Sequence, residues 1–211
     1  NNPANASSWT GLCHGWAEAA ITQPPPKTKN IINSDKISVS FGYSDLGAIL
    51  SHYYGTLRGR VKFLGKRCRS TSNNSVACSG INAGSFHIVI SNFMQNQTSF
   101  ILDVSRGKEV WNHPVAGYEY QVLDERAPSE NASHLAVREV KIKMEMSYTL
   151  ASFETWERKK IAPGIKNYIY WLELDQKSRI VGGSWVTYDR PDFAWYRNKP
   201  KLSSKFRYLF N

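Results

Sequence analysis

The first third of the chain carries its hydrophobic residues first at helical and then at alternating spacing. Residues 8–22 (SWTGLCHGWAEAAIT) combine a glycine-containing turn with strong helix formers and predict a helix that opens near Cys13. Three prolines at positions 24–26 end this helix, because proline has no backbone N–H to donate. Alternating side chains over residues 36–41 predict a strand, and Ser44 is the expected N-cap of a second helix.

The rest of the chain has the two-residue period of β-strands. Residues 86–93 and 99–105 are apolar runs on either side of a polar tip and predict a β-hairpin. The alternation, with one buried and one wet face, continues over residues 118–123, 135–150 and 167–175. Two glycines at 182–183 are expected to break the next strand, and residues 190–195 to form an irregular closing segment. Helices followed by an antiparallel sheet define an α+β fold.

We expect a single domain over residues 1–211, because the chain has ordinary domain length and contains neither a repeat nor a linker. With 41% hydrophobic and 21% charged residues, the composition excludes disordered and collagen-like proteins. No apolar stretch approaches the roughly 20 residues that cross a bilayer. Since Cys13 lies close to the first residue, we expect the mature part of a longer secreted precursor, a zymogen with an inhibitory N-terminal segment.

The net charge of the chain is +10, from 27 Lys and Arg against 17 Asp and Glu. The excess is concentrated at positions 58–69 and 190–207. Such a protein is attracted to anionic surfaces, and an anionic cell surface is an expected partner. Specific nucleic-acid binding is not expected, because the basic residues come with no RNP sequence, zinc-finger spacing or basic heptad helix. We expect a monomer.

Three cysteines, at positions 13, 68 and 78, leave at least one thiol unpaired. Cys68 and Cys78 bracket a polar segment (CRSTSNNSVAC) that offers no core to fold around. This pattern predicts a short disulfide loop and an oxidising, extracellular compartment, with two free thiols as the alternative. The cysteine spacing does not fit zinc, and no cluster of carboxylates indicates a calcium loop, so no metal site is expected.

Cys13 stands in the segment WTGLCHGW, at the first turn of the predicted helix. The free N–H groups and the positive end of the helix dipole stabilise a thiolate there, which is what a cysteine nucleophile requires. The backbone N–H of Cys13 is also placed to donate to an oxyanion. The alternative is a small thiol packed beneath a helix, as free cysteines often are.

A nucleophilic thiol needs a base, and five histidines are available. His14 is adjacent to Cys13, but neighbours on a helix point about 100° apart, and we do not expect them to pair. His87 lies in the apolar segment SFHIVI, where a polar ring is costly without a partner. In the predicted hairpin His87 faces Asp103, whose carboxylate would accept the Nδ1–H and leave Nε2 for Cys13.

This carboxylate assignment depends on the register of the predicted hairpin. A slip of one residue would move the two side chains to opposite faces and leave Asn112 or Asp124 to orient the imidazole. The alternative is a cross-strand His–Asp pair on the surface that has no catalytic task.

Three segments resemble a known family. The segment VWNHPVAGY, residues 110–118, resembles the surface peptide VWNxPVxG(F/Y) of the transglutaminase elicitor family, the secreted transglutaminases of oomycetes and their bacterial relatives. The segments GLCHGW around Cys13 and GSFHIV around His87 are also similar to this family.

The peptide segment departs from the family pattern at two positions. His113 stands where the family peptide has glutamine, and Ala116 stands where it has a basic residue. Trp111 and Pro114, which the resemblance associates with elicitor activity, are both present. A non-catalytic elicitor or binding protein that presents this segment is therefore one alternative function.

The resemblance implies a papain-like core and a protein-glutamine γ-glutamyltransferase, a transglutaminase that joins Gln and Lys side chains of protein substrates through a cysteine thioester. The implied catalytic residues are Cys13, His87 and Asp103. Candidate substrate or oxyanion residues, including aromatic walls that would exclude water, are Trp9, Trp16, Trp111 and Asn112. No cofactor is required for this chemistry, although calcium regulates some transglutaminases. A papain-like cysteine protease or amidase on the same core is the other alternative.

Overall fold

The computed structural model describes residues 11–68, 80–151, 162–198 and 200–210. The chain divides into two compact units. The helical unit contains Asn1–Val61, Leu150–Ala162 and Arg197–Asn211, and the sheet unit contains Lys62–Thr149 and Pro163–Tyr196. The expectation of one catalytic domain over residues 1–211 stays a prediction.

The described residues form helices and strands in the following order along the chain: α1 (Cys13–Thr22), β1 (Lys29–Ile32), β2 (Ser38–Phe41), α2 (Tyr43–Thr56), β3 (Val61–Gly65), α3 (Ala83–Gln95), β4 (Ile101–Asp103), β5 (Asn112–Arg126), β6 (Arg138–Tyr148), β7 (Gly164–Leu174), β8 (Ile180–Trp185), β9 (Phe193–Arg197) and α4 (Ser204–Arg207).

Helix α1 begins at Cys13 and ends at Thr22, as the sequence predicts. The next residue, Gln23, is extended and leads into the three prolines. Helix α1 packs against α2 with the two backbones in close contact. A Cβ on Gly15 would lie 2.1 Å from the carbonyl oxygen of Ser51 and 2.6 Å from the amide nitrogen of Gly55. The contact therefore requires glycine at position 15.

The second predicted helix is present as α2, but its N-cap is Gly42 and not Ser44. The carboxylate of Asp45 accepts the backbone N–H of Gly42 at 2.8 Å, as an acidic N3 residue does in a capping box. Ser44 is the second residue of α2 and lies inside its first turn. The capping hydrogen bond comes from the side chain of the next residue, Asp45. The strand predicted over residues 36–41 is confirmed as β2, which pairs with β1 in an antiparallel hairpin.

The sheet unit contains a seven-stranded sheet in the order β3-β9-β4-β5-β6-β7-β8. The pairs β4–β9, β4–β5, β5–β6, β6–β7 and β7–β8 are antiparallel. The predicted strands over 118–123, 135–150 and 167–175 are confirmed as parts of β5, β6 and β7. In β6 every second side chain is buried, namely Val140, Ile142, Met144 and Met146. The α+β class is confirmed, while a papain-like core with α1 and α2 on the sheet stays a prediction.

The predicted hairpin over residues 86–105 is wrong, because its first strand is helix α3. The side chain of Asn82 caps this helix and accepts the N–H groups of Gly84 and Ser85 at 2.9 and 3.2 Å. Phe86 and Ile90, one helical turn apart, are fully buried. A short apolar run fits a strand and a buried helix equally well, and the Asn82 cap was the overlooked signal.

The glycines at 182–183 lie inside β8 and do not break it. A Cβ on Gly182 would lie 2.1 Å from a carboxylate oxygen of Glu173, and one on Gly183 would lie 2.6 Å from the amide nitrogen of Gly84. These glycines let the beginning of α3 approach the strand. Residues 193–197 form β9, so the predicted irregular segment over 190–195 is strand in its last part.

The core of the sheet unit lies between α3 and strands β7 and β8. Phe86 meets the rings of Tyr168 and Tyr170 edge to face, with centroids 5.6 and 6.1 Å apart. Among the helices of the described residues, none has the length and apolar character needed to cross a membrane.

Candidate functional site

Cys13 is the first residue of α1 and carries a reduced, half-buried thiol. Leu12 before it has non-helical backbone angles (φ −100°, ψ 33°), and the Trp16 N–H donates to its carbonyl oxygen at 2.9 Å. The backbone N–H groups of the first turn are therefore directed out of the N-terminus of the helix, on the side of the chain where the thiol lies. This is the position that the sequence predicts for the nucleophile, and it favours negative charge on sulfur.

His14 contacts Cys13, contrary to the expectation from helix geometry. Its pKa is raised, first by a hydrogen bond with the Cys13 side chain and then by the Gly55 carbonyl and the charges of Cys13 and Glu18, against burial, which lowers it. The His14 Nε2 lies 3.2 Å from the Gly55 carbonyl oxygen. Since that carbonyl can only accept, Nε2 carries a proton and Nδ1 remains for the thiol. Cys13 and His14 are the first two residues of α1, and the angle of about 100° between neighbours does not prevent this contact at the helix terminus.

A buried ion pair lies one turn further along α1. Glu18 is 1% exposed, and its Oε1 accepts the Nε–H of Arg197 at 2.6 Å. Burial raises the pKa of Glu18, and the Arg197 guanidinium opposes this shift. Glu18 follows His14 by four residues, so the two side chains share a helix face. The sequence gives no local signal for this pair, because its members are 179 positions apart.

His87 lies in α3 and is 8% exposed. Its Nδ1 is 2.8 Å from the hydroxyl oxygen of Tyr170 in β7, and its ring edge meets that of Tyr120 with centroids 5.3 Å apart. Burial lowers the pKa of His87. Burial also raises the pKa of Tyr170, with smaller contributions from Tyr118 and Tyr120. Imidazole and phenol are therefore both neutral near pH 7.

The two hydrogens of this contact have a consistent assignment. The Tyr170 hydroxyl lies 3.7 Å from the sulfur of Met144, to which it can donate. Its oxygen then accepts the Nδ1–H of His87, and the lone pair of Nε2 is left available as a base. Tyr170 thus makes the Nδ1 contact that we expected Asp103 to make.

Asp103 is fully buried in β4, opposite Asn112 of β5 and not opposite His87. The cross-strand geometry predicted for His87 and Asp103 is wrong, because α3 replaces the first strand of the hairpin. The Asp103 Oδ1 accepts the backbone N–H of Trp111 at 2.8 Å. Asp103 stays a predicted catalytic residue, but Tyr170 makes the hydrogen bond that this prediction assigned to it.

The two substitutes for Asp103 contact other groups. Asn112 is buried, and its Oδ1 accepts the indole N–H of Trp195 at 2.8 Å. Asp124 is exposed on β5, and its Oδ1 accepts the Glu125 N–H at 2.9 Å. Neither of these two hydrogen bonds orients the His87 ring.

The three candidate tryptophans differ in their surroundings. Trp9 lies outside the described residues. Trp16 is buried in α1 and serves the core of the helical unit. Trp111 is 42% exposed, and its indole N–H donates to a carboxylate oxygen of Glu109 at 3.0 Å. Of Trp16 and Trp111, only Trp111 presents a large apolar surface to solvent.

The predicted disulfide loop falls mainly outside the described residues. Cys68 is buried, and its backbone N–H donates to Asp192 at 2.8 Å. Cys78 is not among the described residues, so the Cys68–Cys78 bridge stays a prediction. The described residues contain no group of three or more His, Cys, Asp and Glu side chains that could hold a metal ion.

Sequence reasoning missed the tyrosines beside His87. Tyr118 and Tyr120 point to the same face of β5, with rings nearly parallel (7°) and centroids 6.4 Å apart. Tyr120 is 51% exposed and lies against the His87 ring. Two tyrosines at spacing i, i+2 in a strand with one wet face were the available signal.

Residues 110–118 enter the sheet at the beginning of β5. Trp111 faces solvent, whereas Pro114 is buried and its carbonyl oxygen accepts the Thr149 N–H at 2.9 Å. The His113 Nδ1 lies 3.0 Å from the Thr149 carbonyl oxygen, and its ring packs on Tyr148. Burial lowers the pKa of His113, and the Thr149 carbonyl opposes this shift. The segment therefore exposes Trp111 and Ala116 to solvent while its backbone is held by neighbouring strands.

Comparison with known proteins identifies the family. The chain matches the sequence model of the transglutaminase elicitor family over residues 4–207 and therefore belongs to that family. It is also similar to the crystal structure of the GP42 transglutaminase from Phytophthora sojae, with a TM-score of 0.72 and 27% sequence identity. This match covers 94% of our chain but 58% of the GP42 chain, so our chain spans little more than half of that structure. A search of curated proteins gave no significant match.

Proposed function

We propose that this protein is a protein-glutamine γ-glutamyltransferase that forms Gln–Lys isopeptide bonds through a thioester on Cys13. The observation that carries the proposal is a reduced, partly exposed thiol at the first residue of a helix, in a chain of the transglutaminase elicitor family. The proposal includes protein substrates that carry Gln and Lys, action outside the cell, and a disulfide between Cys68 and Cys78.

In the first half-reaction the Cys13 sulfur attacks the carboxamide carbon of a glutamine side chain. A carbon–sulfur bond forms, and the carbonyl electron pair moves to oxygen, where the backbone N–H of Cys13 can donate to it. His87 takes the thiol proton and passes it to the amide nitrogen as the carbon–nitrogen bond breaks. Ammonia leaves, and a thioester remains on Cys13.

In the second half-reaction the neutral amine of a lysine attacks the thioester carbon. His87 accepts a proton from the attacking nitrogen and returns it to the sulfur as the carbon–sulfur bond breaks, which restores the Cys13 thiol and neutral His87. The neutral state of His87 supports this role, because burial holds its pKa below the ordinary value and leaves Nε2 unprotonated at neutral pH. Water would give hydrolysis in place of transfer, so the acyl-enzyme needs apolar cover, for which Trp111 is a candidate.

A second candidate function is elicitor activity without catalysis. It is favoured by the exposure of Trp111 and by the hydrogen bonds that hold the backbone of residues 110–118 in the sheet. Elicitor activity of this kind would depend on Trp111 and would survive replacement of Cys13.

The test is incorporation of a fluorescent primary amine into a glutamine-containing protein such as casein. We expect stable labelling that disappears in the Cys13→Ala variant, together with a thioester-linked substrate that is trapped at low pH. Peptide fragments without labelling would identify a protease or amidase instead. If the folded protein gives neither labelling nor peptide fragments, and elicitor activity is retained in Cys13→Ala, the elicitor alternative is favoured.

A further inference from the structure

The helical unit contains a cleft of about 720 Å³ that the proposed chemistry does not use. One wall is the segment from Gln23 to Lys29, between α1 and β1, and the other is the C-terminal segment from Pro200 to Phe210. This volume lies within the range of about 300–1,000 Å³ that is typical of ligand sites. Two basic residues near the C-terminus, Lys201 and Arg207, line the cleft and have no role in the proposed reaction.

The cleft has apolar surfaces that are already rigid. Prolines 24–26 form part of one wall, and their rings fix φ near −65°, so this wall loses little conformational entropy when a ligand binds. Leu202 and Leu209 lie in the opposite wall but are at most 8% exposed, so the prolines and the half-buried Phe210 supply the accessible apolar surface. A ligand with apolar groups would therefore find a preformed surface.

Four cationic side chains line the same cleft: Lys27, Lys29, Lys201 and Arg207. Lys29 donates to the carbonyl oxygen of Tyr208 at 2.6 Å and so joins the two walls. Lys27, Lys201 and Arg207 are exposed and form no ion pair within the described part of the chain. Among the described lining residues none is acidic. Like charges around one concave site raise its potential and attract anions.

We propose that this cleft binds an acidic segment of polypeptide that alternates carboxylate and apolar side chains. The carboxylates would pair with Lys27, Lys201 and Arg207, and the apolar side chains would contact the prolines and Phe210. A small inorganic anion would satisfy the charges but leave the apolar walls uncovered, which is why we favour a peptide. The proposal does not depend on catalysis by Cys13.

The test is fluorescence anisotropy with a fluorescein-labelled peptide of alternating glutamate and leucine, added to the Cys13→Ala protein. We expect the double variant Lys27→Glu/Lys201→Glu to bind at least about tenfold more weakly in 0.1 M salt. The matched control is Lys143→Glu/Lys177→Glu, which makes the same change in net charge at exposed positions of the sheet unit. The control should bind within about twofold of the unaltered protein.

Three further outcomes decide between occupants. A peptide of alternating glutamate and serine should bind several-fold more weakly, and equal binding would remove the role of the apolar walls. Equal loss in both charge-reversal variants would reduce the effect to net charge and overturn the proposal. So would competition by 1 mM inorganic phosphate, or binding of phosphatidylglycerol vesicles in place of peptide. If the double reversal does not fold, Lys27→Gln/Lys201→Gln gives the same comparison.

Discussion

The Nδ1 of His87 and the hydroxyl of Tyr170 lie 2.8 Å apart beneath α3, and both groups are buried and uncharged near neutral pH. A neutral phenol orients an imidazole without stabilising its charged form, unlike a carboxylate. His87 is therefore neutral near pH 7, as the general base of the proposed reaction would have to be, and this relationship leads to the first two predictions.

Replacing Tyr170 with Phe should lower kcat for amine incorporation by about tenfold or more. The reason is that His87 loses the hydroxyl that holds its ring in place, and a positioned acid–base residue contributes about 10²–10⁴-fold to rate. The control is Tyr168→Phe, since Tyr168 is equally buried but donates to the Val104 carbonyl oxygen. Tyr168→Phe loses one buried hydrogen bond, worth about 1 kcal/mol in denaturant unfolding, whereas Tyr170→Phe loses its contacts with both His87 and Met144. Equal kcat in the two variants would contradict the assignment.

The His87 ring should titrate below the ordinary histidine pKa of 6.5, because burial disfavours its charged form. Tyr120→Ala uncovers the ring and should move its pKa upward, as followed by NMR of the imidazole protons in the Cys13→Ala protein. Between the folded pKa and 6.5 the unfolded chain binds more protons than the folded one, so stability falls as pH drops through this window. A His87 pKa at or above 6.5 would remove the basis for a neutral resting base.

His14→Gln should slow alkylation of Cys13 by iodoacetamide near pH 6, because the thiolate loses a neighbouring group whose protonated form stabilises it. His52→Gln is the matched control, since His52 is an exposed histidine of the helix against which α1 packs. The pKa of His14 is raised, so its contribution to stability is present below 6.5 and is lost as pH rises through the folded pKa. Unchanged alkylation in both variants would leave His14 with a structural role only.

Gly15→Ala should destabilise the helical unit by about 1–3 kcal/mol or more, because the added methyl would overlap the backbone of α2 at Ser51 and Gly55. Gly11→Ala is the control, since no atom lies within 4 Å of a Cβ at that position. The measurement is the urea midpoint of each variant. A midpoint for Gly15→Ala equal to that of the control would contradict the close packing of α1 and α2.

The sequence predicted those elements whose signal is local. The beginning of α1 follows from the residues around Cys13 and the prolines after it, and β6 follows from strict alternation over residues 138–148. Helix α3 was missed because the exposed Ile88 and the half-buried Val89 extend the apolar run beyond its buried face and hide the helical period.

Only the part of the candidate site that depends on local signals was predicted. The position of Cys13 at a helix terminus depends on neighbouring residues and was correct. The partner of His87 depends on which strand lies beneath α3, and Tyr170 is 83 positions away. Pairing between distant residues is decided by packing of the whole sheet, which no local pattern encodes.

The ion pair between Glu18 and Arg197 has a practical consequence for anyone who trims this polypeptide. Cutting the chain after Tyr196 would delete the guanidinium and leave a buried carboxylate without its partner, five positions beyond Cys13. An uncompensated interior charge of this kind costs about 3–5 kcal/mol, a large part of the stability of an ordinary domain. A shortened version of the chain would therefore destabilise helix α1, which begins at Cys13.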